Sequence, residues 1–133
     1  EPHPMTVLID TDVLIACWRG EPAAQMWLAS IETTQFKIPG VVAMELIIGC
    51  NTKVQLQRTQ RFLDLFEVIW SDAEDFALAY NLLVQHRFTG GLSIPDCLIA
   101  AQAIKLSATL YSFNIKHFRA IPELIVQPPF ERL

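Results

Sequence analysis

Charge and cysteine are both scarce in this chain, and each scarcity excludes something. Charged residues make up 18% of the 133 positions against 52% apolar ones, which excludes a disordered chain. The longest apolar runs stop well short of the roughly 20 residues that a membrane-spanning helix needs, so no membrane association is expected. Cys17, Cys50 and Cys97 are odd in number, far apart and set in apolar sequence. They read as buried free thiols in a reducing cytoplasm. The start, Glu1-Pro2-His3-Pro4, has neither the basic region nor the apolar core of a secretory signal. Met5 reads as the natural start, residues 1–4 as a vector remnant or disordered N-terminus, and 5–133 as the folded domain. Basic residues are few as well, ten against fourteen acids, for a net charge of −4. That argues against a broad basic face for nucleic acid. It leaves room for a protein that works through bound cations, because carboxylates committed to metal count as negative in the tally.

What the chain does have is a regular alternation of apolar segments. Residues 6–9 are apolar without alternation, as a fully buried strand is. Thr11 or Asp12 is placed to cap a helix running to about Trp18, ended by Arg19-Gly20. A second helix is expected over 21–31, with Pro22 in its first turn and Ala24, Trp27, Leu28 and Ile31 along one stripe. A brief strand over 36–38 stops at Pro39-Gly40, and an apolar stretch follows over 41–50. A helix over 53–65 carries Val54, Leu56, Phe62, Leu63 and Leu65 inside, with Gln57, Arg58, Gln60, Arg61 and Asp64 outside. Residues 68–70 are strand-like, and Ser71 is placed to cap a helix to about Arg87 whose first turn holds Asp72, Glu74 and Asp75. After the loop Thr89-Gly90-Gly91 come a helix over 93–106, a strand over 109–111, a helical turn over 115–120 and a last strand over 124–126. This alternation predicts a single α/β domain, a central parallel sheet of about five short strands flanked by helices. No internal repeat, low-complexity run or linker interrupts it.

Three carboxylates stand out against this background. Val7-Leu8-Ile9-Asp10-Thr11-Asp12 runs a buried strand into a carboxylate where a helix begins. Ligands of open α/β sheets gather beyond the carboxyl ends of the strands. Asp12, on the helix side of the turn, is set aside in favour of Asp10. Glu45 is the only ionisable residue between Lys37 and Lys53. In a helix apolar on every side an unpaired charge costs several kcal/mol, so it reads either as a metal or acid–base group or as the partner of a distant Arg. Asp96 is the only ionisable residue from Phe88 to Ile104, and Ser93-x-x-Asp96 taken alone reads as a capping box. Asn114 ends the fourth strand as Asp10 ends the first. Ser112 shares that loop, placed to donate to a phosphate or to a metal-bound water, or to cap the turn. In a doubly wound sheet these positions converge on one end. Hard oxygen ligands with no nearby His or Cys favour Mg²⁺ or Mn²⁺ over zinc. Such a cluster commonly holds cations that orient a phosphodiester and activate water.

Four segments occur in order: Leu8-Ile9-Asp10-Thr11-Asp12-Val13-Leu14-Ile15; Met44-Glu45-Leu46 with Gly49 following; Asp96-Cys97-Leu98-Ile99-Ala100-Ala101-Gln102-Ala103; and Ser112-Phe113-Asn114-Ile115-Lys116-His117-Phe118, with Ile121-Pro122 and Leu124 beyond. Together they resemble the PIN-domain ribonucleases, most closely the VapC-like toxins of bacterial toxin–antitoxin pairs, over nearly the whole chain from Met5. The resemblance implies a metal-dependent endoribonuclease that hydrolyses single-stranded or structured RNA by in-line attack of water, leaving a 5′-phosphate. It implies Asp10, Glu45 and Asp96 as ligands of Mg²⁺ or Mn²⁺, Thr11 as a supporting polar residue, and Asn114 where many members carry a fourth acid, acting through water. Phe113 stands where a basic residue is frequent, and His117 where an Asp is frequent. The resemblance further implies a cognate antitoxin that lays a helix into an apolar groove, and a homodimer. Trp18, Trp27 and Leu28 are candidates for that groove, with a core role as the competing reading. Arg19, Lys53, Arg58, Arg61, Lys116 and Arg119 are candidates for touching the RNA backbone.

Two rival readings follow from the same residues. A phospho-acceptor module would use Asp10 and Asp12, but it needs a late strand-end Lys, and Lys116 falls within a helical turn. A PIN scaffold that only binds RNA or protein partners would explain Asn114, yet Asp10, Glu45 and Asp96 are all retained.

Overall fold

A computed structural model describes residues 6–32 and 35–132; the reading of residues 1–4 lies outside the described residues. Five parallel strands form one sheet: β1 (Val7–Ile9), β2 (Phe36–Pro39), β3 (Glu67–Ile69), β4 (Thr109–Tyr111) and β5 (Ile125–Gln127), in the order β3-β2-β1-β4-β5. Leu8 in β1 pairs with Lys37 of β2 on one side and Leu110 of β4 on the other. β1 is therefore central, and all three of its residues are buried. That is why it reads as an unbroken apolar run, since a strand covered on both faces has no polar side to show. The edge strands β3 and β5 are half-exposed.

From β1 the chain winds outward to β2 and β3, then returns past β1 to build β4 and β5 on the other side. The order reverses between β1 and β4, and their carboxyl ends flank the crevice where ligands of such sheets bind. The Asp10 N–H donates to the Tyr111 carbonyl at 2.9 Å, locking those two ends together.

Seven helices connect the strands among the described residues: α1 (Thr11–Trp18), α2 (Pro22–Ala29), α3 (Gly40–Ile48), α4 (Lys53–Leu63), α5 (Ala73–His86), α6 (Ile94–Leu106) and α7 (Ile115–Phe118). α6 is the most deeply set. Cys97 to Ala103 are buried without a break, and its alanines allow close approach to α3 and α5. The buried Gln102 donates its amide to the Ile69 carbonyl at 3.0 Å, tying α6 to the end of β3.

Several expectations shift. Asp10, not Thr11 or Asp12, caps α1, and its carboxylate accepts from the Thr11 N–H at 2.8 Å. Asp72 rather than Ser71 caps α5, in a reciprocal box with Asp75; Ser71 has an acid at the same spacing, Glu74, but that side chain lies out in solvent against Lys105, while the buried Asp75 accepts from the Asp72 N–H at 2.9 Å. Val54 and Leu65, expected inside, are exposed; α4 stops at Leu63 and anchors itself through Thr59, Phe62 and Leu63. α3 is not apolar because it is buried all round: Met44 and Ile48 face solvent. β3 begins and ends one residue early, so Trp70 leaves the sheet and its ring lies over Gly40. The free thiols hold, with Cys17 and Cys97 buried and Cys50 half-buried. Among the described residues no helix is long and apolar enough to cross a membrane.

Candidate active site

Beyond the carboxyl ends of β1 and β4 lies a cleft of about 440 Å³. Asp10, Asp12, Glu45, Asp96, Asn114 and His117 all line it. The three acids singled out in the sequence, together with Asn114, therefore meet at one place.

Each arrives by a different local rule. Asp10 is the first residue after β1, nearly buried, and held twice: its Oδ1 accepts from the Thr11 N–H and its Oδ2 accepts from the Ser112 hydroxyl at 2.8 Å. Glu45 sits mid-way along α3, half-buried. Among the described residues it makes no ion pair with Lys or Arg, so the reading of Glu45 as the partner of a distant Arg is not what is found. Asp96 occupies the third position of α6 and closes the capping box with Ser93, its Oδ2 accepting from the Ser93 N–H at 3.0 Å. The capping role and the cleft position coexist in that one side chain. The left-handed Gly90 and Gly91, at φ +80° and +66°, turn the chain so that α6 starts at the cleft wall. Asn114 is exposed at the entry to α7, and its N–H donates to the Ser112 Oγ at 2.9 Å.

Ser112 is fully buried, with its hydroxyl spent on Asp10 and its oxygen on Asn114. It braces the cleft from below instead of facing a phosphate. The Thr11 hydroxyl oxygen is buried and forms no hydrogen bond of good geometry, though it lies near enough to Glu45 to favour that carboxylate's charge. Asp12, set aside in the sequence, also lines the cleft. One of its oxygens accepts from the Phe113 N–H at 3.2 Å, and the other is buried without a partner. The signal that locates it is geometric: the first turn of a helix faces the same strand end as its cap.

The electrostatics are those of a site short of positive charge. Burial pushes the Asp10 carboxyl up, against the hydrogen bonds from Ser112 and Thr11, and Asp96 raises it further. Glu45 is raised by burial, tempered by Thr11, and raised again by Asp10 and Asp96. Burial, with Asp10 next to it, lifts Asp12 to about 6. No Lys or Arg is among the residues lining the cleft; its one cationic candidate is His117, whose Nδ1 lies 3.9 Å from Asp96 Oδ2. Four carboxylates share a cleft whose wall holds no Lys or Arg, with only the weaker pulls of Arg132 on Asp12 and His117 on Asp10 against them; one bears an orphaned buried oxygen, and together they fit a divalent cation by donor chemistry. Among the described residues, however, no three His, Cys, Asp or Glu side chains stand as a ready-made ligand set. An open arrangement of oxygens suits Mg²⁺, which keeps several waters and takes only one or two carboxylates directly.

The remaining candidates separate. Trp27 packs edge-on against Phe36 and Tyr111, with centroids 6.1 and 5.0 Å away, and Leu28 packs on the core. Both belong to the interior, as a helical apolar stripe usually does. Trp18 remains at the surface, with Arg19 and Arg58 near it in a groove that includes Glu45. Lys116 and Arg119 line a further pocket that shares Asn114 and His117 with the acid cleft. Arg61 borders a separate apolar groove formed by Met44, Ile48 and Trp70.

Comparison with known proteins agrees with this geometry. The PIN-domain family profile matches residues 7–124. Ribonuclease VapC19 of Mycobacterium tuberculosis is 35% identical, over 92% of this chain and 98% of the relative. Among solved structures, a toxin–antitoxin complex from Klebsiella pneumoniae superposes with a TM-score of 0.80 at 28% identity, covering 96% of this chain and 100% of that one. VapBC2 from Rickettsia felis, bound to a DNA fragment from its promoter, gives 0.76 at 28% identity over 93% and 98%. The chain belongs to the PIN-domain family, alongside the VapC ribonucleases.

Proposed function

We propose that this protein is a divalent-cation-dependent endoribonuclease acting on single-stranded RNA, and the toxin of a toxin–antitoxin pair in the cytoplasm. The observation that carries the reading is the convergence of Asp10, Glu45, Asp96 and Asn114 on one cleft without Lys or Arg. Asp10, Glu45 and Asp96 would hold Mg²⁺ or Mn²⁺, with Asn114 reaching it through water. A cation bound there supplies Lewis-acid charge that lowers the pKa of water and offsets the phosphate's charge. The chain's own part is to fix the carboxylates. Ser112 and the Thr11 N–H orient Asp10, and the capping box orients Asp96. His117, beside Asp96, is the one group in the cleft able to carry a proton as a cation.

The partners rest on surface chemistry. Met44, Ile48 and Trp70 border an exposed groove of about 730 Å³, and Phe76, Tyr80, Val84 and Phe88 stand exposed at four-residue spacing on and just beyond α5. Contiguous exposed apolar surface marks protein interaction. It supports both a cognate antitoxin, as in the complexes that this chain resembles, and a second copy of the chain.

The test is incubation of the pure protein with single-stranded RNA and Mg²⁺ or Mn²⁺, with and without EDTA. Cleavage inside the strand that EDTA abolishes and that Asp10→Asn and Asp96→Asn abolish is expected. Cleavage indifferent to EDTA, or retained in both variants, sinks the proposal.

A further inference from the structure

A second groove of about 390 Å³ opens beside the acid cleft and shares two of its walls, Ile15 and Glu45. Its chemistry is the reverse of its neighbour's. Arg19 and Arg58 line it, both exposed, and neither makes an ion pair among the described residues. Trp18 lines the same groove, 38% exposed, and its indole rests on Phe62 with ring centroids 4.7 Å apart. An aromatic ring seated on a second ring is immobilised at little further entropic cost, which makes it a platform for another flat group.

We propose that this groove is a nucleotide subsite of the nuclease: Trp18 stacks a base of the RNA strand, and Arg19 and Arg58 hold the adjoining phosphate. The inference rests on the ribonuclease reading above and deepens it. Two further observations favour a strand over any other occupant. First, the acid cleft repels phosphate unless cations flank it, and cationic grooves adjoin it at two different walls, Ile15 and Glu45 for one and Asn114 and His117 for the other. Beyond Asn114 and His117, a pocket of about 370 Å³ presents Lys116 and Arg119. A single strand entering over Trp18 crosses the carboxylates and leaves over Lys116, which places an internal phosphodiester at the centre. Second, base stacking with arginines at the backbone is how proteins grip single strands without reading the sequence. An acidic peptide would satisfy the arginines but needs an aromatic side chain at the right place to use the indole, whereas every nucleotide of a strand carries a base.

The experiment measures the affinity of a fluorescein-labelled hexanucleotide of single-stranded RNA by anisotropy, at low salt in EDTA so that nothing is cleaved. Wild type is compared with Trp18→Ala, Trp18→Phe and Arg58→Ala. Trp18→Ala is expected to weaken binding by about tenfold and Trp18→Phe to restore most of it, since any aromatic ring can stack. Arg58→Ala is expected to weaken binding about three- to tenfold and to flatten its salt dependence. In Mn²⁺-driven cleavage the loss falls on KM. Unchanged affinity in both alanine variants overturns the proposal. Should Trp18→Ala fail to fold, Arg58→Ala, at an exposed helical position, still decides. A poly-glutamate peptide whose binding drops in these variants while that of RNA does not assigns the groove to protein and also overturns it. If wild type binds RNA through Trp18 and Arg58 yet never cleaves it, the subsite stands and the nuclease reading falls. Cleavage with unaffected variants gives the converse.

Discussion

The Ser112 hydroxyl donates to Asp10 Oδ2 at 2.8 Å, joining the ends of β4 and β1 across 102 residues of sequence in a fully buried contact. The same oxygen accepts from the Asn114 N–H at 2.9 Å, so one side chain sets the positions of two cleft residues. Ser112→Ala leaves a buried carboxylate oxygen and a backbone N–H short of partners, a cost of about 1–3 kcal/mol. It also leaves Asp10 held by the Thr11 N–H alone, and outer-shell losses of this kind typically weaken metal binding by about 10–100-fold. Thermal unfolding in EDTA and Mn²⁺ titration by calorimetry measure the two effects separately. A variant with wild-type Mn²⁺ affinity would remove Ser112 from the site.

The crowded carboxylates make the metal-free protein sensitive to pH in a definite direction. Asp12 ionises near 6 in the fold instead of at its ordinary 3.8, and Asp10 and Glu45 are also raised. A raised acid binds its proton more tightly when folded. Its contribution to stability is therefore full below about pH 4 and is lost as pH rises towards 6. Asp12→Asn keeps an acceptor for the Phe113 N–H and removes the charge. Discounted for its partial exposure, the relief at pH 7 is about 1–2 kcal/mol. Melting temperatures in EDTA at pH 5 and 7.5 should drop across that interval for wild type and stay flatter for the variant. Added Mg²⁺ should narrow the gap. A wild type that gains stability between pH 5 and 7.5 contradicts this.

How much of this was legible in the sequence depended on whether the cue was local. The strands, the parallel α/β order and the Ser93–Asp96 box were readable because apolar runs, caps and glycines act over a few residues. Glu45 stands out in the sequence through a wrong premise, although it does line the cleft. α3 is apolar partly because Met44 and Ile48 lie on an open surface, and composition does not distinguish a core face from an interaction face. Trp18 and Trp27 looked alike, both aromatic in helical stretches. Only the tertiary position of β2 and β4 puts Trp27 inside. Ser112 on Asp10, and Asp12 on Phe113, are contacts over a hundred residues apart, and nothing local encodes them.

Gly40 is favoured by space and not by backbone conformation. A methyl group there would run into the six-membered ring of Trp70, which lies flat over the start of α3. Because Trp70 is 65% exposed, its ring is expected to turn outward and leave the fold intact. Gly40→Ala should therefore cost less than about 1 kcal/mol, below the usual range for overpacking a closed core. Tryptophan emission should shift to the red as the indole enters water. A loss of several kcal/mol would show that Trp70 is pinned and that this groove is rigid.

Asp96 does two things with one carboxylate, and they can be separated. Its Oδ2 accepts from the Ser93 N–H at 3.0 Å, while its N–H donates to Ser93 Oγ at 3.2 Å. The same side chain raises Asp10 and Glu45 from across the cleft. Asp96→Ala removes both roles, at about 1 kcal/mol of helix-capping stability together with the carboxylate proposed to hold the cation. Glutamine is also a natural third residue of a capping box, so Asp96→Gln returns the hydrogen bond without the charge. The expected pattern is a melting temperature near wild type for Asp96→Gln and lowered for Asp96→Ala, with RNA cleavage lost in both. Cleavage retained by Asp96→Gln would mean that the cap, and not the charge, is what the site requires from this residue.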